Sequence, residues 1–115
     1  MIERINPGTR ASQLVVVDER IETSGIVALT PGDITEQTRC VLAQLEAWLA
    51  QVGADKNNLT RIQIWLANMN EFSAMNAVYD AWVGEQPPAR ACVGAALASP
   101  DYRIEIQAFG QLRAA

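Results

Sequence analysis

With 115 residues, half of them apolar and 19% charged, the chain has the size of one domain and too much hydrophobic material for a disordered tail. Nine basic against 13 acidic residues leave a net charge of −4, and no Lys/Arg cluster is present to track a phosphate backbone, which argues against nucleic acid as a partner. Histidine is absent, so His-based triads and His-ligated metals are excluded, and Cys40 and Cys92 stand far apart outside any metal-ligand spacing and read as reduced thiols.

No basic segment followed by an apolar run of signal-peptide length opens the chain, and no stretch approaches 18 apolar residues. A cytoplasmic protein with no membrane partner is the expectation. Neither an internal repeat nor a Pro/Gly/Ser linker divides the sequence, and residues 1–115 are read as one domain.

The runs from Leu14 to Asp18 and from Ile21 to Leu29, around Asp18-Glu19-Arg20, predict an antiparallel hairpin ending near Pro31-Gly32. Thr23-Ser24-Gly25 breaks the second run with two hydroxyls and a permissive backbone, the composition of a β-bulge or of a binding spot. Asp33 with Glu36 three residues on predicts a capped helix start, after which Ile34, Val41, Leu42, Leu45, Trp48, Leu49 and Val52 recur at helical spacing until Gly53. Glu36, Arg39, Gln44 and Gln51 fall on the face expected to stay in water. From Arg61 to Ala67 an alternating pattern turns continuously apolar, as in a largely covered strand. Asn70 is placed as the cap of a second helix with the buried stripe Phe72, Met75, Val78, Tyr79, Trp82 and Val83, stopped at Gly84. Beyond Pro87-Pro88, the runs from Arg90 to Leu97 and from Tyr102 to Leu112 predict a closing hairpin that turns at Ala98-Ser99-Pro100-Asp101.

The order β-β-α-β-α-β-β predicts an α+β two-layer sandwich, one sheet with two helices on one face. Leu14-Val15-Val16-Val17 and Ile64-Trp65-Leu66-Ala67 carry apolar residues of both parities. The face without helices would then be apolar too, which predicts burial by another subunit.

If the last two strands pair with Leu97 opposite Tyr102, Gly94 stands across from Glu105 and leaves room beside its carboxylate. Arg90 and Glu105 would share the face without helices. Two readings fit that spacing: a bidentate Arg90 clamp for a substrate carboxylate with Glu105 as general base to a water, or an interface salt bridge. Cys92, with no histidine to activate it, reads as a packed thiol rather than a nucleophile. Trp48 and Trp82 lie on the helical apolar stripes and read as core rather than as a stacking platform. Asn76, next to Met75, is open to a cap on a neighbouring loop or to a ligand contact.

Pro88-Ala89-Arg90-Ala91-Cys92-Val93, Ala96-Leu97 and Ile104-Glu105-Ile106 closely resemble the C-terminal signature of the RidA (YjgF) family. Thr23-Ser24-Gly25, the long helix through Leu45, Asn70-Glu71-Phe72, Met75-Asn76 and Tyr79 extend the resemblance over nearly the whole chain, nearest to the YoaB-like branch. The resemblance implies a chorismate-mutase-like fold with a mixed sheet, a homotrimer whose sheets form a central barrel, and three clefts between subunits. It implies hydrolytic deamination of reactive 2-imino or enamino acids to 2-keto acids and ammonia, with no metal and no organic cofactor. Carried over by position, Arg90 would hold the substrate carboxylate, Cys92 would offer backbone hydrogen-bonding groups, Glu105 would position water, and Ser24, Gly25 and Asn76 would line the cleft.

The chain departs from the pattern of the family's imine deaminases before the first strand. A Gly-Pro-Tyr segment there would close a tyrosine over the substrate, whereas Thr9-Arg10-Ala11-Ser12 supplies no aromatic residue and adds a cation at Arg10. Gln107 also stands where an acidic residue is common. A non-catalytic 2-keto acid binding or regulatory protein using the same clefts is therefore the alternative. RNA cleavage, attributed to some relatives, fits poorly with a pI near 4.7.

Overall fold

The structure, a computed structural model, describes residues 1–112; residues 113–115 of the expected domain lie outside the described residues. In chain order the elements are β1 (Ile2–Pro7), β2 (Ser12–Val17), β3 (Arg20–Thr23), β4 (Ile26–Val27), α1 (Ile34–Ala50), β5 (Leu59–Leu66), α2 (Phe72–Val83), β6 (Ala89–Gly94) and β7 (Ile104–Gln111). The strands form one sheet in the order β1-β2-β3-β7-β5-β6, with β4 also on β7. Only β5 and β6 run parallel, as expected of strands joined through a crossover helix, here α2. Two helices on one mixed sheet is the α+β arrangement that the periodicity predicted.

Helix α1 starts at the predicted capping box, where Asp33 Oδ1 accepts from Glu36 N at 2.8 Å and Glu36 Oε1 accepts from Asp33 N at 3.5 Å. Its buried stripe is Ile34, Gln37, Thr38, Val41, Leu42, Leu45 and Leu49; Trp48 and Val52 are only partly buried. Thr38 and Gln37 are its polar members; Thr38 Oγ1 donates within the helix to Ile34 O, whereas Gln37 bonds outside it. The Gln37 amide nitrogen donates to Gly32 O and Asp101 O, and its oxygen accepts from Arg103 N, so one side chain ties the helix start to the approach to β7. Gln44 is likewise half-buried rather than wet, donating to Val27 O. In α2 only Met75 and Tyr79 are buried, and the turn before it is capped by Asn68, not Asn70.

Three strand predictions are corrected. β1 escaped notice because its residues, Ile-Glu-Arg-Ile-Asn-Pro, lack a period of two; it is an exposed outer strand carrying charges and a terminal proline. The run from Ile21 divides into β3 and β4 at Ser24-Gly25. Thr23, Ser24 and Gly25 there lie opposite two residues of β7, Gln107 and Ala108, so this is a bulge. The closing hairpin does not exist, because β5 lies between β6 and β7.

Alternation sorts the sheet into two faces. Leu14, Val16, Ile21, Ile62, Ile64, Leu66, Ile104, Ile106 and Ala108 are buried beneath the helices. Val15, Val17, Val27, Trp65 and Phe109 point the other way and are half-buried, an apolar patch interleaved with Gln63 and Gln107.

Candidate functional site

β6 is an outer strand, and its register places Arg90 beside Ile62 and Cys92 beside Ile64, residues whose side chains face the helices. Arg90 therefore reaches toward α2. Its Nη1 donates to Asn76 Oδ1 at 2.8 Å, while its Cζ lies 4.7 Å from the Tyr79 ring centroid and 5.8 Å from that of Phe72. Phe72, Asn76 and Tyr79 recur at i, i+4 and i+7, one stripe of α2 turned to the cation. Among the described residues no carboxylate lies within ion-pair distance of Arg90, so the half-buried guanidinium is oriented without being neutralised.

The groups around it keep their protons. Burial pushes the Tyr79 phenol up, against the pull of Arg90 and with some help from Asp80. Burial likewise pushes the Cys92 thiol up, again opposed by Arg90. Neutral Cys92 is the packed thiol expected from its surroundings, and Arg90 carries the charge of this corner.

Glu105 stands on the opposite face, between Val27 of β4 and Trp65 of β5. The bulge brings Gly25 against it: a Cβ on Gly25 would run into the carboxylate, with Glu105 Cδ at 3.0 Å. Side-chain bonds hold the bulge in shape. Thr23 Oγ1 donates to Ser24 O at 2.8 Å and accepts from Ala108 N at 3.0 Å, Gln107 Nε2 donates to Thr23 O at 3.0 Å, and Ser24 Oγ donates to Ser12 O at 2.5 Å. Gln107, noted as a departure from the family pattern, has a structural job.

Of the six residues singled out in the sequence, Arg90, Asn76 and Cys92 thus gather on the helix side of the sheet, and Ser24, Gly25 and Glu105 on the other. Within one chain Arg90 and Glu105 do not share a face, and an intramolecular salt bridge between them is ruled out. Gly94 makes no room for Glu105; it pairs with Leu66, and a Cβ there would meet Met69 Cγ at 3.1 Å. Sequence reasoning placed Phe72 and Tyr79 in a buried stripe and missed their contact with Arg90, although the spacing from Phe72 through Asn76 to Tyr79 carries that signal. It also took the last two strands as neighbours, although the helix between β5 and β6 is the signature of a parallel pair.

Elsewhere, a concavity of about 630 Å³ between the outer sides of α1 and α2 is lined by Leu42, Val78 and Trp82 and contains neither Arg90 nor Glu105. Among the described residues no group of three or more His, Cys, Asp or Glu side chains is placed to hold a metal, and no helix is long and apolar enough to cross a membrane. Ala11, in the stretch without an aromatic residue, is exposed, its carbonyl accepting from Gly8 N at 2.8 Å.

The family model described as Endoribonuclease L-PSP matches residues 1–111. Over 107 residues the chain is 36% identical to the RutC family protein YoaB of Escherichia coli strain K12, a match spanning 92% of this chain and 94% of that protein. It is 35% identical over 104 residues to the 2-iminobutanoate/2-iminopropanoate deaminase of Mus musculus, spanning 84% of this chain and 77% of that one. A solved member of the YjgF protein family from Neisseria meningitidis superposes with a TM-score of 0.96 at 40% identity, over 100% of this chain and 98% of that chain. On sequence and fold together, the chain belongs to the Endoribonuclease L-PSP family, the YjgF or RidA family that its C-terminal residues resembled.

Proposed function

We propose that this protein, with residues 1–115 acting as one unit, hydrolyses 2-imino acids and their enamine tautomers in clefts between the subunits of a cytoplasmic homotrimer. The observation that carries the proposal is the half-buried Arg90 guanidinium, held by Asn76 and two rings with no carboxylate beside it among the described residues. Such a group suits a small carboxylate ligand. Because Glu105 lies on the other sheet face, a cleft using both residues takes Arg90 from one subunit and Glu105 from its neighbour. The apolar open face is the surface on which such subunits would meet. The similarity to the mouse imine deaminase supports the choice of reaction.

In that cleft Arg90 binds the substrate carboxylate while Ser24, Gly25, Asn76 and backbone groups at Cys92 line the walls. Glu105 accepts a proton from water as the oxygen adds to the imine carbon, then delivers that proton to the imine nitrogen and is restored as the carboxylate. A proton then passes from the new hydroxyl to the nitrogen. The C–N bond breaks, ammonia leaves and the 2-keto acid remains. An imine is already electrophilic, so orientation and one proton relay suffice without a cofactor.

The test is keto-acid release from 2-iminopropanoate generated in situ by a dehydratase, with semicarbazide trapping the imine that escapes. Wild type accelerates release, Arg90→Ala and Glu105→Ala do not, and co-assembled mixtures of the two variants regain activity. Wild-type rates in Arg90→Ala would end the proposal. The second reading, 2-keto acid binding without turnover, is favoured by one observation, the lack of any aromatic residue in the stretch Thr9-Arg10-Ala11-Ser12. It predicts saturable 2-ketobutyrate binding and no acceleration of imine loss by wild type.

A further inference from the structure

We infer that Tyr79 is a positioning residue for Arg90, fixing the plane of the guanidinium through the face of its ring while leaving the charge free for a carboxylate. The inference rests on the carboxylate-binding reading of Arg90 and deepens it.

Arginine's long side chain has many rotamers, and that freedom must be lost before its planar fork can meet a carboxylate through two bonds. Arg90 is poorly placed to lose it unaided, since β6 is an outer strand with a neighbouring strand on one side only. Proteins usually orient an arginine with a carboxylate, which would also cancel its charge. Here the orientation comes from neutral groups. Asn76 fixes one end at 2.8 Å, and the Tyr79 ring sits under the guanidinium carbon at 4.7 Å, nearer than the Phe72 ring at 5.8 Å.

The Tyr79 ring is itself closely packed. It is 5% exposed, belongs to the hydrophobic core and packs against Trp82 with centroids 6.0 Å apart. Its buried hydroxyl has no hydrogen-bond partner among the described residues, so removing it breaks no hydrogen bond there. Burial keeps the phenol protonated despite Arg90, and no phenolate forms to neutralise the cation. What Tyr79 offers Arg90 is therefore its ring face, and phenylalanine should replace it while leucine should not.

The test compares wild type, Tyr79→Phe and Tyr79→Leu as intact assemblies, with two readouts: 2-ketobutyrate affinity by calorimetry, and the ring-current-shifted Nε–Hε resonance of Arg90, assigned by its loss in Arg90→Lys. Tyr79→Leu should weaken binding roughly three- to tenfold and return the Arg90 resonance toward that of a free arginine side chain. Tyr79→Phe should leave both unchanged. With turnover as the assay, the effect falls on KM and not on kcat. Should Tyr79→Leu fail to fold, phenylalanine analogues of increasing fluorination at position 79 keep the volume while weakening the ring's attraction for a cation, and affinity should fall stepwise along the series. A folded leucine variant with wild-type affinity and an unmoved resonance, or a flat fluorine series, overturns the inference. If wild type binds no 2-ketobutyrate, the carboxylate reading itself has failed; the Arg90 resonance, measured without ligand, still shows whether Tyr79 positions the side chain.

Discussion

The carboxylate of Glu105 fills the space in which a side chain on Gly25 would begin, the two meeting across the bulge where β4 joins β7. Adding a methyl group at position 25 displaces the end of a flexible side chain rather than backbone, so its cost falls on function. Gly25→Ala should lower turnover at least tenfold, as expected when a proton-transferring group is moved, while changing unfolding free energy by less than about 1 kcal/mol. Steady-state kinetics with a urea melt on the same sample separates the two effects.

Val15 belongs to the half-buried apolar face that no helix covers. A carboxylate there would have to be desolvated when that face packs against another subunit. We expect wild type to sediment as a trimer and Val15→Asp as a monomer without imine hydrolysis. An unchanged sedimentation coefficient would place the subunit interface elsewhere.

Gln37 is 1% exposed and its amide serves Gly32 O, Asp101 O and Arg103 N at 3.2, 2.8 and 2.8 Å. Gln37→Ala leaves two carbonyls and an N–H without partners in a closed site. The expected loss is about 3 kcal/mol of unfolding free energy, read from the midpoint of a urea titration at unchanged slope.

Burial raises the Cys92 thiol and the Tyr79 phenol above their ordinary values, with Arg90 opposing both. The folded chain therefore holds these two protons more tightly than the unfolded chain does. Their stabilising contribution is complete below the unfolded-state values, about 8.5 for Cys and 10 for Tyr, and is lost as pH climbs through the higher folded values. Melting temperature should fall between pH 8 and pH 11 for this reason, and the double variant Cys92→Ser, Tyr79→Phe should show a shallower decline. In a Cys40→Ser background, iodoacetamide should alkylate Cys92 more slowly than free cysteine at pH 8, because less of it is thiolate.

What the sequence by itself determined was everything governed by short-range order: the capping box of Asp33 and Glu36, the stripe from Ile34 to Leu49, and the alternation that buries Ile62, Ile64, Leu66, Ile104 and Ile106. These follow from the periods of helix and strand, and each is legible in a few consecutive residues. The candidate residues Arg90 and Glu105 were legible too, because their types carry their chemistry. Which strands became neighbours was not, since adjacency is set by contacts between distant segments. β1, with Ile5 as its one half-buried residue, is held by pairing with β2. Inserting β5 between β6 and β7 made one pairing parallel and the other antiparallel, and thereby turned Arg90 to the helices and Glu105 to the open face. Tertiary structure alone decided that separation, and the proposed cleft between subunits rests on it.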